Sequence, residues 1–181
     1  MSEIQNLPQL ARETVETFIH KGQAPSPPES GLENFGQMRA GVFVTLKTTD
    51  GRLRGCIGTI APVCANILEE TIQNAVSAAT RDPRFPPVQP QELKNLAYSV
   101  SVLHPPEQIY GMDALDPRKY GVIVACRGRR GLLLPDLEGI DTVEDQVRHA
   151  MHKGGIFPTE TVELYRFQVD KYEEEGRGAR D

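Results

Sequence analysis

Residues 53–59 read Leu-Arg-Gly-Cys-Ile-Gly-Thr, a thiol two residues from a guanidinium with glycines between and beyond them. In an extended chain alternate side chains point to opposite faces. Arg54, Cys56 and Gly58 then share one side, and Leu53, Gly55, Ile57 and Thr59 the other. Glycine weakens a strand interior and marks a bulge or the close approach of a ligand or a second backbone. The first face therefore reads as the wall of a site. At a two-residue spacing of roughly 7 Å, the charge of Arg54 favours the thiolate of Cys56, which would make it a nucleophile or a redox thiol. The same cysteine also fits a plainer role as a small buried hydrophobe.

A cysteine nucleophile normally needs a base, and the chain has four histidines. His149 and His152 fall on a predicted helix whose apolar face is Val143, Val147, Ala150 and Met151. Both point toward solvent and lack a third ligand, so no metal is expected there. His104 ends a strand and His20 closes a helix; spacing alone pairs neither with Cys56, and no catalytic dyad is readable.

The second constellation is Arg81-Asp82-Pro83-Arg84-Phe85-Pro86-Pro87. Its prolines stiffen the loop, so the intervening side chains are presented with little ordering cost. Arg84 suits a carboxylate or phosphate, and Phe85 a stacking or apolar wall. In the alternative, Asp82 merely pairs with an arginine and Phe85 plugs the core. No G-x-G-x-x-G after a strand, Walker loop, H-E-x-x-H or G-x-S-x-G is present, and no cofactor is expected.

A net charge of −5 on 181 residues argues against general nucleic-acid affinity. Arg127, Arg129 and Arg130 crowd one predicted turn, enough for one anionic group but not a duplex. Cys56, Cys64 and Cys126 form no C-x-x-C pair, against a disulfide framework or a tetrathiolate zinc site. The N-terminus has no apolar signal core and no stretch of ~18 apolar residues occurs. A cytoplasmic protein without membrane contact is expected.

The elements that must position these residues are legible from periodicity. Leu7, Leu10, Ala11, Thr14 and Phe18 predict a first helix, followed by a proline-rich connector over 23–31. Val42–Lys47 and Leu53–Ile60 flank Asp50-Gly51, a hairpin signal. A helix over 65–80 must stop at Asp82-Pro83. Leu96, Tyr98, Val100 and Val102 alternate with smaller residues as in a half-buried strand. Gly121–Cys126 and Gly131–Leu134 predict a second hairpin across residues 127–130. Asp141 with Glu144 predicts a capping box for a helix over 142–152. Tyr165, Phe167 and Val169 predict one last strand, and residues 173–181 a flexible charged tail. Hairpins with isolated helices favour an α+β fold of mostly antiparallel sheet.

These residues resemble the AMMECR domain family. The resemblance runs from about Gly41 to Tyr172. Beyond residues 53–59 it includes Asp82-Pro83-Arg84-Phe85-Pro86-Pro87, Ser99-Val100-Ser101-Val102, Gly131-Leu132-Leu133-Leu134-Pro135 and Gly154-Gly155. It implies a single domain over 1–172, built as two unequal interleaved subdomains with a cleft between them. The family's motif residues fall on Arg54, Gly55, Cys56, Gly58, Thr59, Asp82, Arg84 and Phe85. Some relatives carry His-Gly where this chain has Tyr120-Gly121, so no catalytic histidine is assigned there. The resemblance implies no established activity. It implies a component of a three-component system (AmmeMemoRadiSam) with Memo-like and radical SAM proteins as partners. The expected function is a binding or accessory protein that takes a small anionic or peptide-like ligand. Arg54 and Arg84 would be its donors, Cys56 and Phe85 its softer wall, and Gly55 and Gly58 its room. The alternative is an enzyme using Cys56 as nucleophile or redox thiol.

Overall fold

Asp50-Gly51 turns the chain between strands β1 (Val42–Thr48) and β2 (Leu53–Gly58), which pair antiparallel. Gly51 takes φ 88°, a left-handed value that a side chain would strain. This computed structural model describes residues 4–174. Its remaining elements are helices α1 (Leu7–Lys21), α2 (Glu33–Gly36), α3 (Ile67–Thr80) and α4 (Val143–Lys153). The other strands are β3 (Leu96–Leu103), β4 (Glu107–Ile109), β5 (Gly121–Cys126), β6 (Arg129–Leu133), β7 (Glu163–Phe167) and β8 (Val169–Glu173). They build two four-stranded sheets, in the orders β2-β1-β3-β8 and β4-β7-β5-β6, with flanking helices. The fold is α+β with antiparallel pairing, as the sequence pattern predicts. The chain divides into two units, leaving the first after Val102 and returning to it at Lys171.

In the first unit, period-two patterning decides what each strand buries. Val42, Val44 and Leu46 of β1 and Leu96, Tyr98, Val100 and Val102 of β3 lie in the core with Leu7, Leu10 and Val15 of α1 and Ile67, Ala75 and Ala78 of α3. The opposite face of β1 and β3 carries Phe43, Thr45, Ser99 and Ser101, paired in register as Phe43 with Ser101 and Thr45 with Ser99. Both long helices start on an asparagine cap: Asn6 accepts from the Gln9 amide and Asn66 from the Glu69 amide. Because β2 ends the strand order, its outer edge has no strand partner among the described residues.

The second unit has its own core, centred on Val122, Val124, Val147, Ala150 and Ile156. Its hairpin turns on two residues only, Arg127 and Gly128, both at positive φ (48° and 82°). That twist matches the strands, so Arg129 and Arg130 belong to β6 rather than to the four-residue turn expected. Thr142 accepts from the Asp145 amide at 3.1 Å, shifting the expected cap of α4 by one residue. The expected last strand is two: it breaks at Gln168, and β7 and β8 join different sheets. Within the expected tail, Glu173 ends β8, and the Glu174 carboxylate meets Arg12 at 2.6 Å and accepts from the Tyr98 amide at 3.1 Å. Residues 175–181 lie outside the described residues.

Candidate binding site at the outer edge of the first sheet

Strand register decides which of the motif's side chains meet. Cys56 lies opposite Thr45 and Gly58 opposite Phe43. The half-buried Cys56 Sγ sits 3.2 Å from Thr45 Oγ1. Both glycines answer to protein rather than to open space. A Cβ on Gly55 would lie 2.2 Å from the carbonyl oxygen of Ala78, so α3 can pack on β2 only where a side chain is missing. A Cβ on Gly58 would lie 2.2 Å from the Phe43 ring. The room that the sequence reading gave to a ligand at these two positions is therefore filled by helix backbone and by an aromatic ring.

Asp82 organises the outer edge of β2. Helix α3 stops just before it, and the residue preceding Pro83 avoids helical geometry. Its carboxylate is almost fully buried, with 4% of the residue exposed. It accepts the Cys56 amide at 2.9 Å, the Arg84 amide at 3.1 Å, and Arg84 Nε and Nη2 at 2.9 and 2.7 Å. Arg84 Nη2 also reaches the Cys56 carbonyl at 3.4 Å. The aspartate and arginine thus clasp both backbone groups of Cys56. The Arg84 guanidinium, followed by the two backbone amides, holds the Asp82 carboxyl well below the usual carboxylate range despite its burial. Arg84 in turn has its ionisation strengthened by Asp82. Half of the Arg84 side chain (54%) remains exposed.

Arg54 is placed differently. It is a buried side chain whose Nε and Nη2 donate to the two oxygens of Glu92 at 2.7 and 3.0 Å, and whose Nη2 also meets the Pro86 carbonyl at 3.0 Å. Its Nη1 is buried without a partner among the described residues. The bonds from Arg54 pull the Glu92 carboxyl below its ordinary range. Arg54 therefore ties β2 to the proline loop, and its charge is matched by Glu92. Phe85 lies against both guanidiniums, 5.8 Å from Arg54 and 5.6 Å from Arg84.

Thr59 is the hub of a third cluster. Its hydroxyl donates to Glu70 at 2.6 Å and accepts from the Asn74 side chain at 3.3 Å, which also donates to the Val42 carbonyl at 3.0 Å. Glu70 is fully buried, and its other oxygen accepts the Val63 and Cys64 amides at 2.9 and 2.8 Å. The end of the motif is thus anchored to α3 by bonds that leave Thr59 facing protein.

Thr45, Glu92, Glu70 and Asn74 are the residues that sequence reasoning missed. For Glu70 and Asn74 a signal existed: polar residues at i and i+4 on the helix face that also carries Ile67 and Ala78. No histidine hydrogen-bonds to the Cys56 sulfur among the described residues. His104 instead pairs with Asp170 at 2.9 Å, and His149 meets its own helix at the Asp145 carbonyl. In the second unit Arg129 is ion-paired with Glu160 at 2.5 Å, which removes it from the expected basic cluster. No helix of the described residues is long and apolar enough to cross a membrane.

Comparison with known proteins extends over almost the whole chain. The AMMECR1 family model matches residues 8–172. A protein of Thermotoga maritima is 52% identical over 159 residues, covering 87% of this chain and 91% of its own length. A Methanosarcina mazei protein is 40% identical over 179 residues, covering 91% and 88%. A Clostridium acetobutylicum protein is 45% identical over 91% of this chain, which spans only 35% of that relative. The crystal structure of an uncharacterized protein from Pyrococcus horikoshii superposes with a TM-score of 0.88 at 34% identity, covering 97% of this chain and 93% of that one.

Proposed function

The chain belongs to the AMMECR1 family, and on that footing we propose that it is a binding module whose surface around Cys56, Arg84 and Phe85 takes a small anionic or peptide-like ligand. One observation carries this reading: the half-exposed Arg84 side chain is held in place by a buried carboxylate and backed by Phe85. A donor fixed in this way loses little side-chain freedom on binding, so more of its interaction energy appears as affinity. Asp82 offsets its charge, which favours a directional contact, such as one carboxylate or a peptide carbonyl, over a highly charged anion. Arg54, Gly55, Gly58 and Thr59 hold β2 beside this surface through Glu92, the Ala78 backbone, Phe43 and Glu70. Among the described residues the hydrogen-bond partner of the Cys56 sulfur is the Thr45 hydroxyl rather than a base, which supports binding over nucleophilic catalysis. The partners proposed are the Memo-like and radical SAM proteins that the family resemblance implies.

The test is an Arg84→Ala variant, shown by circular dichroism to be folded. It loses at least tenfold in capture of the Memo-like and radical SAM proteins of its own organism, or in its response to titrated acetate and N-acetyl dipeptides. Wild-type behaviour in all of these assays would overturn the proposal.

A further inference from the structure

The second unit carries a cavity of about 520 Å³, inside the range of roughly 300–1,000 Å³ typical of small-molecule sites. Val147 and Met151 of α4 line it together with Met112, Ile156, Phe157 and Pro158. Two of these apolar side chains are left open to solvent: Phe157 is 69% exposed and Met112 41%. A single exposed apolar residue needs no explanation, but two lining one concave surface do.

The wall is built rather than incidental. The Phe157 amide donates to Glu160 at 2.8 Å. The other oxygen of Glu160 is held by Arg129, which also donates to the carbonyl of Gly155 in the same loop. Gly155 makes the turn at φ 63°. One guanidinium and one carboxylate therefore brace the segment that presents Phe157, so the apolar wall stands before any ligand arrives.

The charged groups at the rim give the cavity a direction. Glu144, Arg148 and His152 also line it, at successive intervals of four residues along α4. Neighbours at that spacing share a face, so Arg148 and His152 can meet one head group together. Glu144 stands about 12 Å from His152 along the helix and disfavours an anion at its own end. Bare carbonyls at a helix C-terminus would repel an anion. Here those of Ala150, Met151 and His152 are already bonded to the amides of Gly154, Ile156 and Gly155. Arg148 shares its charge with Asp145, one turn back, and keeps most of its side chain in solvent. The two methionines of the lining are flexible and polarizable, suited to a flexible chain more than to a rigid ring.

From this cavity and its rim we propose that the second unit binds an acyl-chain carboxylate. The chain lies between Met112, Met151 and Phe157, and the carboxylate sits at Arg148 and His152. This site is independent of the surface around Arg84, and its test does not depend on that surface.

Decanoate, kept below its micellar concentration, is the probe. Protein carrying ¹³C-methyl methionine reports on Met112 and Met151 at the cavity and on Met38 in the first unit. The expected result is a saturable shift of the Met112 and Met151 methyls with Met38 unmoved. Decanol, which lacks the charge, should bind about fivefold more weakly, the scale of an exposed ion pair. Arg148→Gln, an exposed change that leaves the core intact, should bring decanoate down to the level of decanol. Met151→Glu should abolish both. The proposal is overturned by an absence of saturable shifts at Met112 and Met151. It is equally overturned by decanol or decylamine binding as tightly as decanoate, or by an amphipathic helical peptide moving these methyls where decanoate does not.

Discussion

Replacing Asp82 by asparagine keeps the side chain's shape and removes its charge, which isolates what the carboxylate does for β2. In the native protein it accepts four hydrogen bonds, two from backbone amides and two from the Arg84 guanidinium. Asparagine can satisfy the Cys56 amide with its one oxygen, but then it turns an NH₂ group toward the guanidinium. The buried amide bond is worth about 1 kcal/mol, and much of it survives the change. The arginine bonds are charge-assisted but half in water, which screens the pair to ~1 kcal/mol. Placing one donor against another adds a desolvation penalty of about 1 kcal/mol. The expected loss at pH 7 is therefore about 2 kcal/mol, which for a chain of this length lowers Tm by roughly 4–8 °C.

The pH dependence provides a sharper test. The folded pKa of Asp82 lies below its unfolded value of ~3.9. The stability it contributes is thus complete above the unfolded pKa and fades as pH falls from there toward the folded one. Thermal unfolding of wild type and Asp82→Asn, followed by far-ultraviolet circular dichroism at pH 7, 5, 4 and 3, should show a constant gap between pH 7 and 5. The gap should then narrow below pH 4. Taking the difference between the two proteins cancels the other carboxylates that titrate in the same range. A gap that stays constant to pH 3, or an unchanged Tm at pH 7, would refute the reasoning.

Gly55→Ala should cost about 2 kcal/mol, because the new methyl meets the Ala78 carbonyl at 2.2 Å and helix backbone cannot step aside as a side chain can; denaturant unfolding measures it. Glu92→Ala should cost about 3 kcal/mol by leaving the Arg54 charge buried and unpaired. The double change Arg54→Met, Glu92→Met should cost less than that single one, and the reverse order in unfolding experiments would remove the pairing argument.

Much of the fold was legible because its signals are local. The Asp-Gly turn, the alternation along β3 and the proline after Asp82 each act over a few residues, and the structure follows all of them. Of the boundaries that slipped, two have identifiable reasons. Arg127 adopts a left-handed conformation that side chains rarely take, so the second hairpin is tighter than its arginine-rich sequence suggests. The break at Gln168 exists because the chain changes sheets there, which no local pattern announces. At the site, strand alternation put Cys56 and Gly58 on one face of β2, and the register with β1 sets them opposite Thr45 and Phe43. It had no access to partners distant in sequence. Glu92 lies 38 residues from Arg54, and Asp82 lies 26 from Cys56. Those carboxylates are what turned two expected ligand donors into one structural tie and one half-exposed group.

The clasp on Cys56 carries one further consequence. β2 ends its sheet, and a terminal strand with idle backbone groups is a template on which another chain can add itself. The Asp82 carboxylate and the Arg84 guanidinium occupy the amide and the carbonyl midway along that margin, doing with side chains what a fifth strand would do with backbone. A protein stripped of this pair would present an open seam for self-association. The loop at residues 82–87 therefore also covers part of that sheet edge, separately from any ligand.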